Sequence, residues 1–242
     1  ARPAAAWARA RAFSGAPPGL HRAEYWDAFY ARKAAEGPGE PFDWYVPWAA
    51  ALGARLERLP RGALVLDVGC GTSAAGDRMR AIGLDVHGVD FSLEAVRYWR
   101  RRLGAFRARR RYVSADVRAL PFPDGRFHAA LDKGCLDAVA RGGPGGSQEE
   151  RARVGAALAE LHRVLAPGGL LLSVSSDPPD QRLDLLREGA ARGEWRTAWG
   201  VCEGGSGVHD TEYFVYELRR VGGERPEPED GPQGAPHDAP AR

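Results

Sequence analysis

One stretch decides the fold of this chain: Val65-Leu66-Asp67-Val68-Gly69-Cys70-Gly71-Thr72-Ser73. Its apolar residues predict a buried strand, which runs into a glycine turn and then into a helix. Gly69 and Gly71 let the backbone turn sharply and come close to a ligand. Asp67 stands near the carboxyl end of the predicted strand, which is where open α/β sheets bind their ligands. The stretch therefore predicts a ligand site at the end of a strand.

A second acid sharpens the prediction of a ligand. Asp90 ends a second apolar segment, residues 84–89, and follows the glycine turn at an offset of about 20 residues. An acid at that offset is placed to accept hydrogen bonds from ribose hydroxyl groups. A glycine turn alone is weak evidence. The turn, the second acid and the strand–helix alternation around both together indicate a cofactor that contains a nucleoside.

Strands and helices alternate from residue 63 onwards. The predicted strands are residues 63–68, 84–89, 111–116, 127–131 and 170–175, and the predicted helices are residues 73–82, 92–103 and 148–165. Residues 195–202 and 211–221 predict a closing antiparallel pair because they are rich in strand-forming side chains. Alternating βα units require a mainly parallel sheet that is covered on both faces. We therefore expect an α/β fold, with a Rossmann-like, seven-stranded, mostly parallel sheet, helices on both faces and an antiparallel hairpin at its C-terminal edge.

The composition predicts one folded domain with a tail on each side. Residues 1–23 contain several arginines and no acid, which is typical of a mitochondrial transit peptide, although a disordered tail rich in alanine and arginine would look the same. We expect the folded, cofactor-binding domain over residues 24–221, with an aromatic lid segment at its start. Residues 222–242 are rich in proline, glycine and acids and are predicted to be disordered.

Composition also excludes several classes of protein. The net charge is +2, and no apolar run approaches the ~18 residues that span a membrane, so no membrane contact is expected. The three cysteines, Cys70, Cys135 and Cys202, are far apart and odd in number, which argues against a disulfide framework and against a zinc site. The histidines are scattered, and no metal site is predicted.

The region between residues 24 and 58 is the richest in aromatic side chains. It contains residues 24–30, a loop of glycine and proline, residues 42–48 and a predicted helix over residues 49–59. Large aromatic side chains could simply pack a helix against the sheet. They could equally form a lid over the cofactor, with Asp43, Trp44 and Tyr45 near the reacting groups.

The residues quoted above resemble the class I S-adenosylmethionine-dependent methyltransferases. The pattern of that family at the first strand is an acid followed by Gly-x-Gly, here Asp67, Gly69 and Gly71, with Ser73 where many members have a third glycine. The resemblance implies that the backbone at Gly69–Gly71 faces the methionine part of S-adenosyl-L-methionine. It also implies further cofactor contacts: Asp90 with the ribose hydroxyls, Phe91 with the adenine, Asp116 with the adenine amino group, Val117 nearby, and Asp132 where the fourth strand meets the transferred methyl group.

Three stretches resemble a small group of protein-lysine methyltransferases that act on translation elongation factor and on citrate synthase. They are Tyr25-Trp26-Asp27, Phe42-Asp43-Trp44-Tyr45 and Leu131-Asp132-Lys133-Gly134-Cys135-Leu136-Asp137-Ala138-Val139. Residues 140–143, 176–183 and 211–214 are most similar to the mitochondrial branch, which methylates citrate synthase. The resemblance covers about residues 25–220 and implies a folded protein substrate, with citrate synthase suspected, in the mitochondrial matrix. An elongation factor is the alternative substrate.

A lysine substrate implies roles for three residues. A lysine amine has a pKa of about 10.4 in solution and must lose its proton before it attacks a methyl group, and an apolar channel lowers that pKa. Trp44 and Tyr45 are the catalytic candidates for the channel wall, where cation–π contact would also hold the ammonium group. Asp132 is the candidate for orienting it, although Asp132 and Lys133 could instead form a structural salt bridge.

Other functions are kept open by the sequence. The arginines between residues 97 and 111 could bind a nucleic-acid backbone or form a solvated helix face, but the two-proline pattern of amino-directed nucleic-acid methyltransferases is missing after the fourth strand. Asp177-Pro178-Pro179-Asp180 follows the fifth strand instead and predicts a loop. A non-catalytic scaffold would keep the same cofactor-binding acids. An NAD-dependent oxidoreductase is disfavoured because its glycines would be spaced Gly-x-Gly-x-x-Gly.

Overall fold

The structure, a computed structural model, describes residues 19–36, 41–45, 52–106, 111–141, 148–189, 195–202 and 213–221. The predicted C-terminal tail and most of the predicted transit peptide lie outside these residues. So do residues 107–110 of the basic block, residues 142–143 and residues 211–212. The domain boundaries at residues 24 and 221 therefore stay predictions.

Seven helices and seven strands are assigned within the described residues. The helices are α1 (Ala23–Glu36), α2 (Gly53–Leu56), α3 (Ala75–Ala81), α4 (Leu93–Leu103), α5 (Cys135–Ala140), α6 (Gln148–Val164) and α7 (Pro179–Gly189). The strands are β1 (Leu64–Val68), β2 (Asp85–Asp90), β3 (Tyr112–Ser114), β4 (Phe127–Lys133), β5 (Leu165–Ser175), β6 (Trp195–Cys202) and β7 (Tyr213–Arg220). None of these helices is long and apolar enough to cross a bilayer.

All of these strands belong to one sheet, in the order β3-β2-β1-β4-β5-β7-β6. The first five strands of the chain are parallel to one another, whereas β7 is antiparallel to both β5 and β6. This confirms the predicted α/β, Rossmann-like sheet with an antiparallel C-terminal edge. The chain order reverses at β1, whose two neighbours are β2 and β4, so the ligand crevice of such a sheet is expected at the carboxyl ends of these strands.

The sheet is buried on both faces, which explains why β1 is apolar along its length rather than alternating. Val65 packs into one apolar cluster with Leu131 of β4, whereas Leu66 packs into another with Leu158 of α6. Each of these side chains is completely buried and contributes about 1.5–3 kcal/mol by leaving water. The two layers hold the end of β1 in a fixed position.

Several element boundaries differ from the predictions. β4 continues to Lys133 instead of ending at residue 131, and β5 begins at Leu165 instead of residue 170. β5 starts early because Leu165 pairs with Phe127 before the register shifts between Phe127 and Ala129. α2 covers only part of the helix predicted over residues 49–59, of which residues 49–51 lie outside the described ranges.

Two helices are missing from the sequence predictions. α5 has 6 residues, which is too short to display a helical period, and it follows Gly134, whose φ of 80° is readily adopted only by glycine. α7 begins at Pro179, and a proline at the first helical position loses no hydrogen bond. The predicted loop is therefore confirmed for Asp177 and Pro178 and wrong for Pro179 and Asp180, which begin the helix.

Candidate functional site

A cavity of about 520 Å³ occupies the crevice at the carboxyl ends of β1, β2 and β4. In the order of the strands, from β3 towards β7, its wall includes Asp116, Val117, Asp90, Phe91, Gly69, Gly134, Asp137 and Tyr213. Neighbouring strands lie about 4.8 Å apart, so this row extends over on the order of 20 Å. Helix α1 and residues 41–45 form the opposite wall.

The structure brings most of the predicted site residues together. Trp44, Tyr45, Gly69, Asp90, Phe91, Asp116 and Val117 line this cavity. Asp67 and Gly71 border a smaller cavity of about 10 Å³, which shares walls with the large one. Asp132 borders neither of them.

The glycine turn is packed so closely that no other side chains fit. Gly69 has a φ of 59°, and a Cβ atom there would lie 2.6 Å from Cys135 Cβ. Gly71 has a φ of 47°, and a Cβ atom there would lie 2.4 Å from Tyr30 Oη. The carbonyl of Gly71 accepts a hydrogen bond from the buried Trp99 Nε1 at 2.9 Å. The turn thus presents bare backbone to both cavities.

Asp90 is held at the end of β2 by backbone donors. Its Oδ2 accepts from Gly71 N at 2.9 Å, and its Oδ1 accepts from Ser92 N at 2.8 Å. Burial raises the pKa of Asp90 to about 6, although both hydrogen bonds favour the carboxylate. Each carboxylate oxygen has a second lone pair, so Asp90 can still accept from a ligand in the cavity.

Asp67 is a buried acid with an unsatisfied oxygen. Its Oδ2 has no hydrogen-bond partner among the described residues, and burial raises its pKa to about 7 in spite of the charges of Lys133 and Arg80. Trp44 Nε1, on the wall shared by the two cavities, is also buried without a partner in the described part of the chain. The site therefore offers one free acceptor and one free donor beside the glycine turn.

Asp116 lies at the β3 side of the cavity with Val117. Its Oδ1 accepts from Arg118 N at 2.8 Å, and its carboxylate pairs with the Arg118 guanidinium. Burial would raise the pKa of Asp116, but the hydrogen bonds and charge of Arg118 outweigh it, so this pKa lies below its usual value. Asp116 is thus a carboxylate, as an acceptor for an amino group must be.

Helix α1 is fastened across the cavity. Asp27 Oδ1 accepts from Ser92 Oγ at 2.6 Å and from Glu94 N at 3.2 Å, which ties α1 to the first turn of α4 directly after Asp90. Trp26 meets Trp44 edge to face, with 5.6 Å between ring centroids. Both rings line the cavity, and the lid itself stays a prediction.

Residues 41–45 are fastened to the glycine turn. Phe42 N donates to Thr72 O at 3.2 Å, and Asp43 accepts from both Ser73 Oγ and Lys133 Nζ. Burial would raise the pKa of Asp43, but the charge and hydrogen bond of Lys133 hold it below its usual value. Lys133 thus pairs with Asp43 and not with Asp132, and the predicted alternative salt bridge is absent.

Tyr45 continues this segment to the other side of the cavity. We call the wall formed by Tyr45, Gly134, Asp137, Arg141 and Tyr213 the acceptor end. Tyr45 Oη donates to Asp137 Oδ2 at 2.8 Å, and the Tyr45 and Tyr213 rings are 4.7 Å apart. Burial, and then the charge of Asp137, raise the pKa of Tyr45 well above its usual value, so its side chain is a neutral phenol.

Asp132 lies behind the acceptor end, contrary to the prediction that it meets the methyl group or the substrate. It is completely buried because β4 continues past it to Lys133. Its Oδ2 accepts from Ser173 Oγ at 2.6 Å, and its Oδ1 accepts from Leu136 N at 3.0 Å. Burial raises its pKa to about 6 although Arg182 opposes this. Asp132 fixes the first turn of α5 and does not touch the cavity.

A buried ion cluster that the sequence does not predict supports the acceptor end. The Arg182 side chain is 0% exposed, and its guanidinium lies 3.0 Å from Asp137 Oδ1, 3.8 Å from Asp177 Oδ2 and 4.0 Å from Asp132 Oδ2. Arg141 pairs with Asp177 at 2.8 Å. The cluster thus holds three carboxylates and two guanidiniums. Asp137 and Arg182 both stand within stretches that the sequence singles out by resemblance, but neither stretch indicates that the two side chains pair.

These features fit S-adenosyl-L-methionine. The glycine turn borders both cavities beside Asp67 and Trp44. The free acceptor of Asp67 and the free donor of Trp44 suit an ammonium and a carboxylate group, respectively. Asp90 and Asp116 supply acceptors farther along the same cavity.

Comparisons with known proteins agree with the fold. Residues 66–173 match the family model described as a methyltransferase domain. The chain is 36% identical over 202 residues to EEF1A lysine methyltransferase 4 of Mus musculus, an alignment that covers 82% of this chain and 76% of that protein. It is 33% identical over 186 residues to the mitochondrial citrate synthase-lysine N-methyltransferase of Pongo abelii, covering 68% and 74% of the two chains.

Other matches are partial or distant. The chain spans only 21% of the eEF1A lysine and N-terminal methyltransferase of Bos taurus, at 30% identity. An S-adenosylmethionine-dependent methyltransferase from Methanosarcina mazei has the same fold, with a TM-score of 0.53 and 19% identity over 71% of this chain and 99% of that one. Taken with the glycine turn and the cavity beside it, these matches establish that the chain belongs to the class I S-adenosylmethionine-dependent methyltransferases.

Proposed function

We propose that this chain transfers a methyl group from S-adenosylmethionine to the ε-amino group of a lysine in a folded protein. The candidate substrate is citrate synthase, and the candidate compartment is the mitochondrial matrix. The methyltransferase domain would extend over residues 24–221, after a transit peptide at residues 1–23.

The acceptor end carries the proposal. Its buried cluster holds one carboxylate more than its guanidiniums, with Arg182 and Asp137 only 3.0 Å apart. An excess negative charge in a dry environment is stabilised by a nearby cation, since the interaction is much stronger there than in water. Tyr45 and Tyr213 add aromatic surface at the same place. A negatively biased, aromatic acceptor end suits the ammonium group and methylene chain of a lysine better than a neutral hydroxyl or a phosphate-bearing acceptor.

The reaction depends more on positioning the amine than on activating the methyl group. When bound, S-adenosylmethionine supplies a sulfonium methyl group that is already electrophilic. The protein has to remove the ammonium proton, align the amine and exclude water. The aromatic cover of Trp26 and Trp44 excludes water, and desolvation of the ammonium lowers its pKa.

We infer the cofactor contacts from the order of residues along the cavity. Asp90 would accept from the ribose hydroxyls, with Phe91 against the adenine. Asp116 would accept from the adenine amino group beside Val117. Asp67, Gly69 and Gly71 would then hold the methionine part, which leaves the methyl group directed towards Gly134 and the acceptor end.

The choice of substrate rests on the relatives and on the N-terminal residues. The Pongo abelii relative is named for citrate synthase and for mitochondria, and residues 1–23 of this chain have arginines but no acid. The Mus musculus relative is named for EEF1A, which makes that elongation factor the second candidate.

A labelling experiment tests both candidates. The recombinant chain is incubated with S-adenosylmethionine labelled in its methyl group and with purified citrate synthase, purified eEF1A or mitochondrial RNA, and modified sites are mapped by mass spectrometry. We expect label on a lysine of citrate synthase. Asp67→Ala should abolish cofactor binding and labelling, whereas Asp124→Ala, at a turn where the side chain is 78% exposed, should behave like the wild type. Label confined to eEF1A would make eEF1A the substrate in place of citrate synthase, and label on RNA alone would overturn the proposal.

A further inference from the structure

Tyr45 is held in an unusual backbone conformation. Its φ of 67° makes it the one non-glycine residue with a positive φ in the described ranges, at a cost of roughly 1–2 kcal/mol. Gly134 makes room for the ring, since a Cβ atom there would lie 2.8 Å from Tyr45 Cε2. The Tyr213 ring covers the Tyr45 ring at 4.7 Å. The surroundings thus fix where the hydroxyl group points.

The direction of the hydrogen bond that this hydroxyl group makes is also fixed. Asp137 Oδ1 accepts from Ser175 Oγ at 2.8 Å and lies 3.0 Å from Arg182 Nη1, while Oδ2 accepts from Ser176 N at 3.2 Å. Both oxygens of Asp137 are thus met by donors, and a carboxylate accepts hydrogen bonds and donates none. Tyr45 has one proton to give and gives it to Asp137. Its oxygen also takes part in a hydrogen bond with the Ser176 side chain, which leaves one further lone pair for the cavity.

We propose that Asp137, acting through Tyr45, presents the Tyr45 oxygen as a hydrogen-bond acceptor for an N–H group of the substrate amine. The inference rests on the proposed lysine methylation. An amine whose N–H is bound by Tyr45 turns its lone pair away from that oxygen and towards the methyl group. In the transfer, a nitrogen–carbon bond forms, the carbon–sulfur bond breaks, and its electron pair stays on sulfur. The product carries the positive charge on nitrogen, so the hydrogen bond to Tyr45 strengthens as the charge develops.

Asp137→Asn tests the polarity directly. The amide oxygen of the asparagine has to face Arg182, because an amide NH₂ there would oppose the guanidinium. The NH₂ group then takes the place of Oδ2, where it gives up the 3.2 Å hydrogen bond from Ser176 N and donates to Tyr45. The tyrosine proton therefore turns into the cavity and competes for the amine lone pair. The positioning residue is thereby changed without loss of the Tyr45 ring.

The experiment is a double-mutant cycle on kcat, with Tyr45→Phe, Asp137→Asn and both together. Each single variant should lower kcat by about 10- to 100-fold, the range for one hydrogen bond to a group that becomes charged, with cofactor affinity by calorimetry within about twofold of the wild type. In the Tyr45→Phe background, Asp137→Asn should lower kcat by less than about a further twofold, because Asp137 acts through the hydroxyl group that is already missing. Asp124→Asn is the matched control. A full further loss in the double variant, or an unchanged kcat in Tyr45→Phe, overturns the inference.

A binding measurement separates this inference from the substrate proposal. n-Butylamine, which carries the head group of lysine, is titrated into the S-adenosylhomocysteine complex and followed by NMR. We expect Tyr45→Phe to weaken its binding by at least about fivefold. If wild type binds butylamine in this way but labels no protein, the proposed function fails and the inference stands. Equal binding by wild type and Tyr45→Phe overturns the inference whatever protein is labelled.

Discussion

Replacing Arg182 by methionine should destabilise the protein far more than replacing any surface arginine. The Arg182 side chain is 0% exposed and faces three carboxylates within 4.0 Å. Removing one partner of a buried ion pair costs about 3–5 kcal/mol, since the remaining charge is left uncompensated. Methionine keeps the length of the side chain and removes its charge, so the fall in the free energy of unfolding measures the electrostatic contribution of Arg182.

The loss should depend on pH in a definite direction. Burial raises the pKa of Asp132 to about 6 and that of Asp177 above its usual value, and removing Arg182 raises both further. The folded variant then binds more protons than its unfolded chain at pH values above the unfolded pKa of about 3.9. Its free energy of unfolding falls as the pH rises through this range. The deficit relative to wild type is therefore largest above pH 7 and smaller at pH 5.

Urea denaturation followed by circular dichroism at pH 5, 6, 7 and 8 measures this deficit. Arg97→Met is the matched control, because the Arg97 side chain is 51% exposed and pairs with Glu94 at the surface; a change in the free energy of unfolding below about 1 kcal/mol is expected there. A deficit of less than about 1 kcal/mol for Arg182→Met, or one that stays constant from pH 5 to pH 8, would refute the reasoning.

Two further predictions concern the cofactor side. Because burial raises the pKa of Asp67 to about 7, its carboxylate charge is lost as the pH falls below 7. Calorimetry should show that affinity for the cationic cofactor rises severalfold from pH 6 to pH 8 in wild type and stays flat in Asp67→Asn. An equal dependence of affinity on pH in both proteins would contradict this. Asp27→Ala removes the side chain that binds the first turn of α4, so the free energy of unfolding should fall by about 1 kcal/mol and cofactor binding should weaken. Glu24→Ala, at an exposed position of α1, is the control. A matching loss in both variants would rule out a stabilising role for the contacts of Asp27 with α4.

The βα core can be predicted from the sequence because its signals are local. An apolar run followed by Gly69 and Gly71 defines the end of β1, and Asp90 ends β2 as expected. A parallel strand buried on both faces has to be apolar along its length, so the first strands are visible in the sequence without any knowledge of their partners.

The acceptor end is harder to predict because it is assembled from distant segments. Asp132 looks like a residue at the end of a strand, but β4 runs on to Lys133 and pairs with β5, which turns Asp132 into the interior. Arg182 stands in a helix that begins with a proline, and nothing near it in the sequence indicates its three acidic partners. Which of several acids faces the cavity depends on the register of the sheet, and register is a property of pairs of strands.

Residues 41–45 contact both halves of the site, since Asp43 is bound beside the glycine turn and Tyr45 is bound to Asp137. A ligand that moves this segment at one end therefore moves it at the other, because the same five residues carry both contacts. By thermodynamic linkage, any factor by which the cofactor changes acceptor affinity is the factor by which the acceptor changes cofactor affinity. A short segment that spans two ligands thus acts as the coupling between them.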